Sequence, residues 1–261
     1  MKIRGILLFF CCLLVLACFP YAETLGPTSK MYFTLWDNVG LGILQGSNVI
    51  KTWAPSAYRE IAISVTDKIH TTGHLTGTSG AEYTLSGTFT GTTYSISNVL
   101  GHHDGATDGQ YNYAISWTTG SLYRYNMNWQ NPEYLFNVGS DALTITYDPT
   151  NDSFWITTWG TGKVKNYSRA GGLLSSFSTR ATHNAGLALD YADGTLWMSE
   201  HATSTLVQYT KAGVFLGEKT YSSLTGGVWG AEFAYGVPEP STVLLFALFL
   251  GILGRKFLKK I

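Results

Sequence analysis

Residues 187–209 read LALDYADGTLWMSEHATSTLVQY, and residues 145–167, which lie 42 positions earlier, read ITYDPTNDSFWITTWGTGKVKNY. A third copy of the pattern lies another 42 positions upstream. The copies align without gaps in four columns, which are Tyr113/Trp155/Trp197, Trp117/Trp159/His201, Leu122/Val164/Leu206 and Tyr125/Tyr167/Tyr209. A fixed repeat of this length indicates an architecture assembled from small supersecondary units.

Each copy has the pattern of a small antiparallel sheet. In the copy at 141–180 we predict strands at residues 143–147, 154–159, 164–168 and 173–178, and turn-forming residues separate them. Because one four-stranded sheet cannot bury both of its faces, neighbouring sheets have to stack around a common axis. The sequence therefore predicts an all-β protein, a β-propeller with four-stranded antiparallel blades.

Two segments of the copy at 187–209 carry a family resemblance. Leu187-Ala188-Leu189-Asp190 followed by Gly194-Thr195-Leu196-Trp197 resembles the blade pattern of the NHL and gluconolactonase-like propellers. The resemblance extends over residues 105–222 and is faint at 55–100, where residues 61–65 can serve as an inner strand. Propellers of this group more often have six blades than five.

Closure of the ring is predicted from the two ends of the domain. Residues 228–235 form a lone inner strand with no hairpin after it, and Tyr32-Phe33-Thr34 matches Trp197-Met198-Ser199 at an offset of 165. We therefore predict a composite blade shared between the termini. With this blade the count is five, and six is the alternative.

The repeated aromatic residues have two interpretations. They are Tyr113, Trp117, Tyr125, Trp155, Trp159, Tyr167, Trp197 and Tyr209. Repetition at one structural position favours packing between blades, whereas a binding site normally breaks the repeat on one side of the ring. Stacking platforms for sugar rings are the alternative interpretation.

The chain ends in a distinctive segment. Val237, Pro238, Glu239, Pro240, Ser241 and Thr242 precede an apolar run at 243–253 and four basic residues near the C-terminus. Prolines before the run and cations after it favour a short transmembrane helix with the body on the outer side, and a buried core helix is the alternative. The segment resembles the PEP-CTERM sorting signal of Gram-negative bacteria, which implies an exosortase-type processing enzyme as a partner.

The N-terminus has the order of a secretory signal peptide. Lys2 and Arg4 precede an apolar run at 6–18, and small residues follow up to Ala22. We predict three segments: a signal peptide with a single hydrophobic helix at 1–22, the propeller at 23–236, and the sorting signal at 237–261. A lipoprotein box with lipidated Cys18 is the alternative for the leader.

Composition restricts the chemistry of the body. All three cysteines lie within the first 18 residues, so the body forms no disulfide. Only 11 basic residues but all 17 acidic residues lie between Glu23 and Glu239, which gives a net charge of −6. Binding to nucleic acid or an anionic lipid surface needs a concentrated basic patch, so both are excluded as expected partners.

Irregular polar residues occur where the chain leads into each inner strand, at the expected mouth of the central channel. With Arg59 beside them, the candidates are Glu60, His102, His103, Asp104, Asp141, His183, Asn184 and Glu232. Such side chains could hold a divalent cation. The gluconolactonase-like resemblance implies Ca²⁺ or Mg²⁺ in the channel and a metal-dependent lactonase or lyase. Its ligand set does not map onto this chain residue by residue, so our main expectation is no cofactor.

We expect a binding or scaffolding propeller, because no catalytic signature is present in the sequence. The resemblance of the C-terminal segment implies an inner-membrane-anchored precursor that is delivered to the cell surface or extracellular matrix. It also implies exopolysaccharide, or an envelope protein, as the partner. The alternatives are the metal-dependent enzyme and a purely structural biofilm protein without a specific ligand.

Overall fold

A computed structural model describes residues 24–36, 40–57, 59–74, 79–95, 101–201 and 203–236. These residues form twenty strands in five sheets of four antiparallel strands. The predicted signal-peptide helix and the helix of the sorting signal lie outside the described residues. Within the described part of the chain, no helix has the length and apolar character needed to cross a membrane.

The first blade is composite, and the other four follow in chain order. Blade 1 contains β20 (Val228–Phe233), β1 (Met31–Leu35), β2 (Leu41–Gln45) and β3 (Asn48–Trp53). Blade 2 contains β4 (Glu60–Val65), β5 (Lys68–Gly73), β6 (Ser79–Thr84) and β7 (Phe89–Ser95). Blade 3 contains β8 (Gly105–Thr107), β9 (Asn112–Ile115), β10 (Ser121–Tyr125) and β11 (Glu133–Asn137).

The last two blades are the most regular. Blade 4 contains β12 (Ala142–Asp148), β13 (Ser153–Thr158), β14 (Lys163–Ser168) and β15 (Leu173–Ser178). Blade 5 contains β16 (Asn184–Leu189), β17 (Leu196–Glu200), β18 (Thr205–Tyr209) and β19 (Phe215–Thr220). In blade 4 each predicted strand differs from the observed one by at most one residue at either end.

The predicted closure of the ring is confirmed. The last strand, β20, pairs with the first, β1, in antiparallel register, so that Met31 lies opposite Phe233 and Phe33 opposite Ala231. The inner strands β4, β8, β12, β16 and β20 each contact the next around the axis. A five-bladed propeller is therefore confirmed, and the alternative of six blades is wrong.

The inner strands approach each other closely around the axis. A Cβ atom added at Gly230 on β20 would lie only 2.2 Å from the carbonyl oxygen of Ile61 on β4. Glycine is required there because any side chain would collide with the neighbouring backbone. The inner strands of blades 1 and 2 are therefore in close backbone contact beside the channel.

The apolar core consists of layers between blades. The layer between blades 5 and 1 includes Phe33, Trp197 and Leu206, and the layer between blades 3 and 4 includes Tyr113 and Phe154. The first aromatic column of the repeat, Tyr113/Trp155/Trp197, is fully buried at successive interfaces of this kind. The same position of the repeat thus supplies a buried aromatic side chain to the interface between neighbouring blades.

Candidate functional site

The second aromatic column lies on one face of the ring, at the ends of the second strands. It comprises Trp36, His74, Trp117, Trp159 and His201, one residue from each blade, just after strands β1, β5, β9, β13 and β17. In blades 3, 4 and 5 the backbone amide of the column residue donates a hydrogen bond of 2.7 to 3.0 Å. The acceptor is the carbonyl oxygen of a residue that precedes the inner strand. The blade architecture therefore places all five side chains around the mouth of the channel.

Three further rings come from the inner strands or the residues just before them. His103, His183 and Trp229 contact the column, and together with it they form a set of eight rings that we call the mouth cluster. The ring centroids of Trp36 and Trp229 lie 4.1 Å apart, and those of Trp159 and Trp229 lie 5.7 Å apart. His103 lies 5.2 Å from Trp229 and stacks on Trp36 at 5.7 Å. Trp229 therefore connects the two sides of the cluster.

Burial divides the mouth cluster into a floor and a rim. His74, His103 and Trp229 are buried and form the floor, whereas Trp36, Trp117, Trp159, His183 and His201 are half-buried or exposed and form the rim. Trp36 exposes 37% of its surface, although tryptophan offers a large apolar area for burial. The rim thus presents aromatic surface to solvent on the face that the repeat creates.

His103 on the floor is uncharged near neutral pH. Burial lowers the pKa of His103 to about 3, and burial also lowers the pKa of His201 on the rim. The Nδ1 atom of His103 is buried and has no hydrogen-bond partner among the described residues. A neutral imidazole can accept or donate a hydrogen bond at that atom according to its tautomer.

Formal charges around the mouth do not accumulate. Arg59 and Asp141, which have opposite charges, occupy equivalent places in blades 2 and 4, both with left-handed backbone (φ 59° and 66°). Arg180 forms an ion pair of 2.6 Å with Glu200 and a second with Glu218. Among the described residues, the mouth therefore shows no concentration of charge of either sign.

A groove of about 360 Å³ opens beside the mouth cluster, between the composite blade and the segment that leads into β20. Its apolar lining includes Leu35, Trp53 and Leu224, and its hydroxyl lining includes Thr52, Ser223 and Thr225. Leu35 is the neighbour of Trp36 in the chain. The groove and the rim are therefore neighbours on the composite blade.

Three of the predicted site residues lie inside blades. The carboxylate of Glu60 accepts hydrogen bonds from Thr71 and Tyr83, and burial raises its pKa. His102 contacts the Tyr125 hydroxyl at 2.6 Å and the Ile115 carbonyl at 2.9 Å. The Asn184 amide donates to Thr179 Oγ1 at 2.7 Å. Glu60 and His102 thus contact strands of their own blades, and Asn184 holds the connection between β15 and β16.

Two other candidates lie on the axis of the ring. The Asp104 carboxylate is buried and accepts hydrogen bonds from the amides of Gly105, Leu187 and Ala231, and from that of Ile145. Burial raises its pKa, and these four donors oppose the rise. Burial and the nearby Asp104 raise the pKa of Glu232, whose Oε1 atom has no partner in the described part of the chain.

The last three candidates, His103, Asp141 and His183, do lie at the mouth. Asp141 and His183 are exposed there, and His183 lies 4.6 Å from the Trp159 ring. Among the described residues, no group of three His, Cys, Asp or Glu side chains is gathered closely enough to hold a metal ion. Aromatic rings, rather than carboxylates, dominate the mouth.

Sequence reasoning did not propose Trp36, His74 and Trp229 as site residues. Trp36 had a detectable signal, because it falls opposite His201 in the alignment of the composite blade. Trp117 and Trp159 pack against a core cluster of residues from several blades, as the packing interpretation predicts, and both are only half-buried in the mouth cluster. Trp229 had no repeat partner to mark it, because the equivalent positions hold Ile61, Leu143 and Ala185.

The chain leaves the propeller at the other end of the channel. Tyr235 follows β20, donates its amide to the Val65 carbonyl at 2.8 Å, and packs against Tyr147 and Tyr191. Six residues separate it from Trp229 in the mouth cluster, which along a strand corresponds to about 20 Å. The exposed Gly236 therefore starts the C-terminal segment on the face opposite the mouth.

The architecture defines a five-bladed β-propeller with an aromatic mouth on one face and a C-terminal exit on the other. Residues 236–260 match the family described as the PEP-CTERM protein-sorting motif. This motif is a signal for exosortase processing, so the chain is an exported, membrane-passing protein with a propeller body.

Solved structures share this fold. A chain in the crystal structure of a nidogen/laminin complex is 13% identical, with a TM-score of 0.57, over 80% of this chain and 100% of that one. A protein of unknown function from Bacteroides thetaiotaomicron VPI-5482 is 13% identical, with a TM-score of 0.51, over 82% of this chain and 64% of that one. At such identities the likeness shows the fold alone. No curated protein matches the sequence.

Proposed function

We propose that the protein is an exported binding and scaffolding module that presents its mouth cluster to the extracellular matrix of a Gram-negative bacterium. The observation that carries the proposal is that the described chain ends at Gly236, where the sorting motif begins, at the end of the channel opposite the mouth cluster. A chain anchored through residues after Gly236 presents the far face to the medium. A solvent-exposed aromatic patch on that face is typical of an interaction surface.

The connection to the anchor is short. Six residues, 237–242, separate the end of the described body from the apolar run, and this link spans at most about 25 Å when extended. The face that carries Tyr235 is therefore held near the membrane in the anchored precursor. The proposed partner is extracellular polysaccharide, with a protein of the envelope as the other outcome of the test.

Engineered cysteines test the orientation, because the chain from Glu23 onward contains none. Ser140→Cys places a thiol on the mouth face, and Ala192→Cys places one on the exit face; both sites are exposed. In liposomes that carry the chain from Glu23 to Ile261, a bulky maleimide polymer should label Cys at 140 much faster than Cys at 192. Removal of residues 237–261 should equalise the two rates, whereas equal rates in the liposome would reject the orientation.

Partition into the matrix tests the function itself. The full chain is produced in a bacterium that makes an exosortase and an extracellular polysaccharide, and the amounts in the cell and matrix fractions are compared. We expect Trp36→Ala to release the protein from the matrix fraction, while Phe89→Ala, a control of similar exposure on the outer strand of blade 2, leaves it in place. A protein that stays inside the cell, or equal partition of the two variants, would contradict the proposal.

A further inference from the structure

We propose that the mouth cluster and the adjacent groove form a binding site for an uncharged saccharide chain. The inference rests on the proposed function and deepens it, because it names the chemical class of the ligand. It is carried by three features of the described residues: exposed aromatic faces, absence of concentrated charge, and a groove lined by hydroxyl groups.

The exposed aromatic faces are the first feature. Trp36 exposes 37% of its surface, and Trp117 and Trp159 are half-buried on the same rim. The residues of the first aromatic column, such as Trp197, are in contrast completely buried between blades. The ring thus needs the first column for packing, whereas the second column leaves apolar area in water that a ligand can cover. The apolar C–H face of a pyranose ring matches a tryptophan face in size and polarity.

The charge distribution selects among ligands with apolar faces. A net charge of −6 over residues 23–239 opposes the approach of an acidic polymer. At the mouth, Arg180 is already paired with Glu200 and Glu218, and Arg59 and Asp141 have opposite signs. Burial also keeps His103 neutral, with a pKa of about 3. An uncharged saccharide fits this surface better than a polyuronate.

Polar groups are available for the sugar hydroxyls. His103 Nδ1 on the floor has no hydrogen-bond partner among the residues that the structure describes, although it is buried. A buried polar atom without a partner is uncommon and costs free energy, so a ligand hydroxyl would relieve that cost. Thr52, Ser223 and Thr225 add hydroxyl groups along the groove.

The groove indicates a chain rather than a single sugar. It is lined by Leu35, the chain neighbour of Trp36, and by Trp53 and Ala54 on blade 1. Its volume of about 360 Å³ lies within the range of about 300–1,000 Å³ that is typical of ligand sites. One sugar stacked on the rim would leave the groove for the next residues of the chain. We therefore expect longer oligosaccharides to bind more tightly than monosaccharides.

Calorimetric titration tests the inference. The chain from Glu23 to Ile261 is kept in a detergent without a sugar headgroup and titrated with neutral hexasaccharides of several linkages, with the corresponding monosaccharides and with an oligouronate. We expect saturable binding of at least one neutral hexasaccharide, weaker binding of its monosaccharide, and none of the oligouronate. Trp36→Ala should weaken the binding at least about tenfold, whereas Phe89→Ala should change it less than about twofold.

The variants keep the test independent of folding. Trp36→Phe retains an aromatic face and should recover part of the affinity, and the melting temperature of each variant reports whether the ring is intact. Equal affinity for the oligouronate, or unchanged affinity in a folded Trp36→Ala protein, would overturn the inference. If no neutral saccharide binds although the matrix partition still depends on Trp36, the ligand class is wrong while the proposed function stands.

Discussion

The Oδ1 atom of Asp104 accepts a hydrogen bond of 3.0 Å from the backbone amide of Ala231, although 127 positions separate the two residues in the chain. The same carboxylate accepts from Leu187 on blade 5 and from Ile145 on blade 4. One side chain of blade 3 thus holds the inner strands of three other blades. The pairing of β20 with β1 then connects this hub to the N-terminus.

Asp104→Asn should lower the free energy of unfolding by about 3 kcal/mol, because the NH₂ group of asparagine faces amide donors and leaves part of them without an acceptor. Urea denaturation of residues 24–236 measures the change. Asp141→Asn is the control, since this exposed residue has left-handed backbone that asparagine tolerates, and we expect a change below about 0.5 kcal/mol. A loss below about 1 kcal/mol for Asp104→Asn would contradict its role as a hub.

Acid should destabilise the ring through two buried histidines. Burial lowers the pKa of His102 to about 4 and that of His103 to about 3, compared with an ordinary value of 6.5. Between pH 6.5 and these lower pKa values, the histidines bind more protons in the unfolded chain than in the folded one. Stability is therefore complete above pH 6.5 and falls with decreasing pH by about 1.4 kcal/mol per pH unit for each histidine.

His103→Phe isolates one of the two contributions and keeps an aromatic ring on the floor. Denaturation curves between pH 7 and pH 4 should show a shallower pH dependence for the variant, and the difference from the parent should grow as the pH falls. Parallel curves would show that His103 is not held neutral in the fold.

Arg169→Lys should loosen the contact between blades 3 and 4. The guanidinium of Arg169 donates to Asp108 at 3.0 Å, Asp152 at 2.7 Å and the Tyr113 hydroxyl at 2.6 Å. A lysine ammonium cannot reproduce this fork, so we expect a loss of about 1–2 kcal/mol in urea denaturation. Arg124→Lys alters an exposed pair with Glu133 and should cost less than about 0.5 kcal/mol. Equal effects of the two substitutions would reject the special role of Arg169.

The repeat explains why so much of the fold could be predicted. A strand pattern that recurs three times at one spacing can be located from three separate segments. The predicted strands of blade 4 therefore lie within one residue of β12 to β15. Lys211 even repeats the role of Arg169 at an offset of 42, because its ammonium pairs with Asp148 at 2.7 Å. Blade 2 is faint in the sequence because it has His74 in place of a tryptophan in the second column, and polar contacts between Glu60, Thr71 and Tyr83 link its strands.

The site was harder to predict because neighbouring residues enter different environments. His102 points into blade 3, His103 lies in the mouth cluster and Asp104 lies on the axis. Inner strands β4, β12 and β16 each contain a register shift, which disturbs the simple alternation of side chains. A polar residue near the start of an inner strand therefore does not reveal which of the three places its side chain takes.

Truncation at the C-terminus tests how the ring closes. A chain that covers residues 24–227 lacks β20, so β1 loses its inner partner and Asp104 loses the Ala231 amide. Because each blade buries its faces only against its neighbours, we expect this chain to aggregate or to unfold without a cooperative transition. A chain of residues 24–236 contains all twenty strands and should melt within about 2 °C of the chain 23–261, since every blade of the ring is retained. Circular dichroism and size-exclusion chromatography compare the three chains. Cooperative melting of residues 24–227 at the parent temperature would show that the composite blade is dispensable for the closed ring.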